Sequence, residues 1–230
     1  MLTRLKSLTL VDQASNQLLS YIEANDLQAG DSLPSIAQLS ETFGASRAVI
    51  RESLKSLEAQ GIIEICNGRK AKVKPISGEP LFNYFRRFLK VDGNAAWEFT
   101  EIRVALEQQC INLAIARGSD AELRSLNTLV NEMRKNMDSE QDFAELDVQF
   151  HLMIAHATHN RTMVHLLESL RGAICDSIRE GLKKRLTHEQ MEKVQLDHEK
   201  LVAAMIQRDP LGAQEALSKH FDELTDLQRH

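Results

Sequence analysis

Apolar residues recur at helical spacing along almost the whole chain, and the breaks between stretches carry helix start and stop signals. A first helix is expected over residues 10–25, ended by the break Ala29-Gly30-Asp31. Leu33-Pro34-Ser35 offers a new start, with Ser35 as N-cap of a short helix over residues 36–43. Gly44-Ala45-Ser46 is a tight turn whose Ser46 caps a third helix over residues 47–60, and Gly61 ends that helix. The pattern then changes. Residues 62–65 are short and β-branched, Asn67-Gly68 is the favoured type I′ hairpin turn, residues 71–74 form the return strand, and Pro75 stops it.

The order helix, short helix, tight turn, helix, hairpin is that of a winged helix-turn-helix. There the helix after the turn enters the major groove of DNA and the wing reaches alongside. Past residue 76 the texture is different. Ser77-Gly78-Glu79-Pro80 reads as a linker, and residues 81–90 as a short helix with Phe82, Phe85 and Phe88 at threefold spacing. Only helical periodicity follows, over residues 95–117, 120–136, 141–158, 161–186, 188–208 and 210–227. Ser119 caps the second of these, Thr187-x-x-Gln190 is a capping box, and Asp209-Pro210 pairs a cap with a first-turn proline. The expected fold is therefore mainly α. A winged helix-turn-helix occupies residues 1–76, and an all-helical antiparallel bundle of six to seven helices occupies residues 77–230.

Charge sharpens the division. The chain carries a net −5, yet residues 1–76 hold nine Lys/Arg against eight Asp/Glu, leaving 19 against 25 in the remainder. Within residues 45–73 there are six basic and three acidic residues. Such asymmetry points to a nucleic-acid contact at one end. No apolar run approaches a membrane span, and the N-terminus lacks the apolar region of a secretory signal, which predicts a cytoplasmic protein without membrane contact. The three scattered cysteines, Cys66, Cys110 and Cys175, fit a reducing compartment and read as packing residues.

Arg47, Arg51 and Lys55 stand at i, i+4 and i+8, forming one stripe that begins at the N-terminus of the third helix. Ile50, Leu54 and Leu57 line the adjacent face, which would pack on the first two helices. Guanidinium groups so placed suit bidentate contacts to guanine and to phosphate, and Arg69, Lys70 and Lys72 would clamp the backbone from the wing. A solvated charged face is the plainer meaning of such a stripe. The coincidence of turn, helix and basic hairpin in this order favours DNA.

A second constellation lies in the helical part. Asp147 and His151 share a helical face with Phe143, Phe150 and Ile154. His198 sits mid-stripe among Met191, Val194, Leu201, Val202 and Met205, and His220 among Ala213, Ala216, Leu217, Leu224 and Leu227. One histidine on an apolar face is ordinarily a hydrogen-bonded core residue. Three, with a carboxylate one turn away, would each cost a few kcal/mol if left unsatisfied, and a divalent ion satisfies all four. Three nitrogens and one oxygen suit Zn²⁺ or Ni²⁺.

Leu33-Pro34-Ser35, Ser46-Arg47-Ala48-Val49-Ile50-Arg51-Glu52 and Leu57-Glu58-Ala59-Gln60-Gly61-Ile62-Ile63 resemble the N-terminal domain of GntR-family transcription regulators. The resemblance implies recognition-helix contacts from Arg47 and Arg51 and a wing tip of Asn67, Gly68 and Arg69 entering the minor groove. Ser35 and Ser46, at two helix N-termini, complete the candidate DNA-binding set. Two departures stand out. Pro34-Ser35-Ile36-Ala37 lacks the arginine that relatives place after the serine, and Ala48-Val49 replaces the family's Thr-Pro. The helical part resembles the FCD effector domain of the FadR subfamily, which implies Asp147, His151, His198 and His220 as metal ligands. The family's Glu-x-Arg-x-x-Leu-Glu pattern matches Glu101 to Glu107. It implies that Arg103 reaches the metal cavity to hold a carboxylate ligand; the bland alternative is an Arg103–Glu107 pair at the bundle surface.

The expected function is a DNA-binding repressor, a homodimer on a palindromic operator, controlled by a small carboxylate metabolite near a divalent ion. Two alternatives are a regulator for which the metal is itself the signal and a metal-dependent hydrolase. The hydrolase is disfavoured, because the sequence offers no HExxH motif and no evident second carboxylate, and the winged helix has no place in it. The chain is not expected to be an enzyme.

Overall fold

Three side-chain caps set the helices of the N-terminal part. Thr9 accepts from the Asp12 amide ahead of α1 (Leu10–Ala24), Ser35 from that of Gln38 ahead of α2 (Ile36–Phe43), and Ser46 from that of Val49 ahead of α3 (Arg47–Ala59). The first two are complete capping boxes, with Asp12 and Gln38 reaching back to the cap amides. The computed structural model describes residues 8–66, 70–92, 95–179 and 187–226, and the chain divides into two units, Met1–Pro80 and Leu81–His230.

In the first unit, Gly44 takes φ +60°, the left-handed turn that joins α2 to α3 and that a side chain would strain. Leu18, Leu33, Ile50, Leu57 and Ile63 are fully buried between the three helices and the wing. Ser53 stitches α3 to α1 through its hydroxyl, which donates to the carbonyls of Val49 and Val11. The wing pairs β1 (Ile63–Glu64) antiparallel with β2 (Lys72–Val73), in the register Ile63 to Val73 and Glu64 to Lys72. Both strands are shorter than the four residues expected of each. A third segment does part of the ladder's work: the amides of Gly30 and Leu33 donate to the carbonyls of Val73 and Ala71, and that of Val73 to Asp31. The Asn67-Gly68 turn and Arg69 lie outside the described residues.

Among its described residues the second unit is helical: α4 (Glu79–Val91), which begins just ahead of Leu81, leads into α5 (Ala95–Arg117), α6 (Asp120–Lys135), α7 (Glu140–Ala157), α8 (Arg161–Arg179), α9 (His188–Ile206) and α10 (Pro210–Asp226). The expected extension of α8 to residue 186 falls outside the described residues. Helices α5 to α10 form the bundle around Ile111, Phe150, Leu123, Leu126, Met133 and Leu201. α4 packs its phenylalanines on α5 and α8, where Phe85 meets Phe99 edge to face at 5.1 Å. Gly172 admits this approach, since a Cβ there would lie 3.2 Å from the Phe82 ring. No helix among the described residues is long and apolar enough to cross a membrane.

Candidate metal centre and nucleic-acid interface

The solvent side of α3 carries Arg47, Arg51 and Lys55, all exposed, while Ile50, Leu54 and Leu57 are buried behind them. Lys55 pairs with Glu52 at 3.0 Å, with both side chains more than half exposed. Arg47 and Arg51 form no ion pair or side-chain hydrogen bond among the described residues, so their guanidinium forks stay available to an anion. Ser35 and Ser46 accept backbone hydrogen bonds as caps, each at 3.3 Å. A hydroxyl that accepts keeps its own proton to donate, so capping and phosphate contact are compatible.

In the helical unit, the four candidate ligands converge from three helices: Asp147 and His151 from α7, His198 from α9 and His220 from α10. One ligand atom from each lies within 4.8 Å of all the others. The three histidines are buried, and their ring centroids are 4.6 to 5.3 Å apart. His151 and His198 approach through Nε2 to Nε2 at 3.3 Å. Asp147 Oδ1 is 3.2 Å from His198 Nε2 and 3.6 Å from His151 Nε2. The contact to His198 lacks hydrogen-bond alignment, so Oδ1 remains a buried oxygen without a hydrogen bond, as do Nδ1 of His198 and both nitrogens of His220. Each such orphan costs about 1–3 kcal/mol in a dry interior. A cation at their common centre removes the penalty from Asp147 and from the facing nitrogens together. The residues present therefore fit a divalent metal.

Electrostatics keep the donors ready. Burial, reinforced by the other histidines, holds His220 well below the ordinary imidazole range. Burial also lowers His198, against an opposing pull from Asp147. Both rings stay neutral, with lone pairs to give. For Asp147, burial opposes ionisation, but Arg171 foremost and then His151 and His198 hold the carboxyl well below its usual range. Glu107 behaves alike: burial pushes it up, and Arg171, His151 and Arg103 together bring it well below normal.

Two residues beyond the sequence-derived set belong to this cluster. Glu107 on α5 is the carboxylate that sequence reasoning did not place near the ion. Its Oε2 is 2.7 Å from His151 Nδ1. That oxygen also accepts from Arg171, so Glu107 is not positioned as a free base for hydrolysis. Arg171 on α8 is 2% exposed and was missed altogether. It sits on a stripe with Leu167, Leu170 and Ile174, so the test that singled out His198 applied to it as well. Arg103 is buried, not at the surface; its Nε donates to Glu107 Oε1 at 3.1 Å and its guanidinium lies 5.3 Å over the Phe221 ring.

Comparison with known proteins agrees with both halves. The family of bacterial regulatory proteins named gntR matches residues 10–73, and the FCD domain matches residues 98–223. The Glc operon transcriptional activator of Escherichia coli (strain K12) is 30% identical over 205 residues, which span 84% of this chain and 79% of that protein. The HTH-type transcriptional regulator LutR of Bacillus subtilis (strain 168) is 25% identical, over 90% of this chain and 95% of its own. Among solved structures, Streptococcus agalactiae GntR shares the fold with a TM-score of 0.72 at 23% identity, covering 94% of this chain and 99% of that one. The curated relatives are transcription regulators by name, not enzymes.

Proposed function

The chain belongs to the GntR family of bacterial DNA-binding transcription regulators and carries an FCD domain, and on that premise we propose that it is a cytoplasmic, metabolite-responsive repressor. Residues 1–76 read the operator: Arg47 and Arg51 contact base edges or phosphates from the major groove, Ser35 and Ser46 support the backbone, and Asn67, Gly68 and Arg69 serve the wing tip. Residues 77–230 bind the effector and join two copies, so that the homodimer reads a palindrome with half-sites set by its two-fold axis.

The observation that carries the effector half is the convergence of Asp147 Oδ1, His151, His198 and His220 on one buried point, with several of their polar atoms left without hydrogen bonds. Asp147, His151, His198 and His220 would hold the ion, Zn²⁺ or Ni²⁺ by the donor set. The ion supplies a Lewis-acid anchor for an anion, and Arg103 engages the carboxylate of the same small organic acid. The ligand must bind the DNA-competent and DNA-incompetent arrangements unequally, or it shifts nothing.

A thermal-shift screen of small organic acids, with and without chelator, tests this. Ligand at 100 times its Kd adds about 2.7 kcal/mol of stability. The expected result is one carboxylate that stabilises the metal-loaded protein alone and releases it from operator DNA. If chelation or a particular ion moves both midpoint and operator affinity while no acid does, the metal is the signal and the effector reading falls.

A further inference from the structure

Arg171 holds two carboxylates from two different helices with one guanidinium. Its Nε donates to Glu107 Oε1 at 2.9 Å, its Nη2 to Glu107 Oε2 at 2.7 Å, and its Nη1 to Asp147 Oδ2 at 2.9 Å. Both carboxylates in turn face the candidate ligand atoms. Glu107 Oε2 lies 2.7 Å from His151 Nδ1, and the other oxygen of Asp147, Oδ1, is the one that lies among the histidine nitrogens. We propose that Arg171 is a positioning residue for the metal centre: it fixes Asp147 as a one-oxygen ligand through Oδ1 and, by way of Glu107, fixes His151 in the tautomer whose Nε2 lone pair faces the ion. The inference rests on the metal reading of the site.

The argument is one of shared atoms. A neutral imidazole that donates from Nδ1 to a carboxylate presents an acceptor at Nε2, so the position of Glu107 decides the tautomer. Glu107 is held by a two-point Arg171 contact, the planar fork to which a carboxylate is complementary. The third bond of the same guanidinium occupies Asp147 Oδ2, which stops the carboxyl from turning to offer both oxygens. Arg171 also supplies positive charge between two carboxylates that would otherwise repel each other in a dry interior. Lysine cannot replace it, because one ammonium on a flexible stem has no fork to span Glu107 and Asp147 at these positions.

The test uses the full chain, stripped with chelator and titrated with Zn²⁺ and with Co²⁺. Arg171→Lys and Arg171→Met should each bind the ions about 10–100-fold more weakly. The Co²⁺-loaded Arg171→Lys protein should show an altered visible absorption spectrum, since the oxygen count at Asp147 changes. Mere loss of stability does not alter the spectrum of the loaded, folded protein. Arg208→Met serves as the control: it removes the bonds from the turn after α9 to the Ile115 and Gly118 carbonyls and to Asp120, none of which touches the cluster, and should keep parental affinity and spectrum. If Arg171→Met fails to fold, Arg171→Lys decides. Folded Arg171→Lys with parental affinity and a parental Co²⁺ spectrum overturns the inference while leaving the metal reading in place. Failure of the unaltered protein to bind either ion overturns the metal reading itself.

Discussion

His151 Nδ1 lies 2.7 Å from Glu107 Oε2, and both side chains are almost wholly buried. The contact joins α7 to α5, and Arg171 closes it from α8, so three helices meet on one carboxylate. Glu107→Ala would leave two buried guanidiniums and an imidazole N–H short of an acceptor. Breaking a buried charge pair from one side costs about 3–5 kcal/mol. The melting midpoint of the metal-free protein should fall by roughly 6–20 °C. Glu107→Gln, which keeps an acceptor for His151, should fall less. Equal midpoints for parent and Glu107→Ala would show that the cluster contributes nothing to the bundle.

In the N-terminal unit, Arg51→Ala should remove specific operator binding while leaving the helical signal in circular dichroism unchanged, because Arg51 is exposed and makes no ion pair or side-chain hydrogen bond among the described residues. A guanidinium bidentate to a base is worth about 1–3 kcal/mol of discrimination. Lys55→Ala should cost less, since Lys55 already shares its charge with Glu52. Binding isotherms at several salt concentrations separate the two kinds of contact. Undiminished specific affinity in Arg51→Ala would remove α3 as the reading element.

Much of this was legible along the chain because caps and apolar stripes are local signals. Ser35, Ser46, Ser119 and Thr187 each start the helix expected of them. Helices α2 and α5 have the expected bounds. The wing strands came out shorter than expected, and residues 30–33, far off in the pattern, bond the other edge of β2, a long-range pairing that no local signal announces. The cluster was half legible for a related reason. A histidine amid leucines on a stripe is conspicuous. An arginine in the same place reads as a long stem that carries its charge to water, and only the fold shows that Arg171 turns inward to meet Glu107, 64 positions away. Glu107 had a local partner, Arg103 at i−4, which accounted for it before its contact with His151 could be suspected.

Cys110 predicts an alkaline limit. Burial, with Glu107 adding to it, pushes its thiol up to about 12. A raised acid favours the folded state's proton, so stability is intact below the unfolded value near 9 and declines as pH rises above it. One proton corresponds to about 1.4 kcal/mol per pH unit. Denaturant melts of the parent should therefore fall more steeply between about pH 9 and 10.5 than those of Cys110→Ala, which has no thiol to ionise there. Parallel slopes would mean that the thiol ionises as freely in the bundle as in the unfolded chain.

His220 separates the cost of the site from its use. Both its nitrogens are buried without a hydrogen bond, so in the metal-free protein the ring adds about 1–3 kcal/mol of unmet desolvation to the folded state. His220→Leu replaces it with an apolar side chain among Leu217, Phe221 and the other core residues. The chelated variant should melt at or above the chelated parent. Added Zn²⁺ should then raise the parent, by about 2.7 kcal/mol at 100 times Kd, and leave His220→Leu nearly unmoved. Calorimetric scans of both proteins, with chelator and with Zn²⁺, give the four midpoints required. A variant that is destabilised without metal would show that His220 is satisfied in the folded protein. One that still gains as much from Zn²⁺ as the parent would take His220 out of the ligand set.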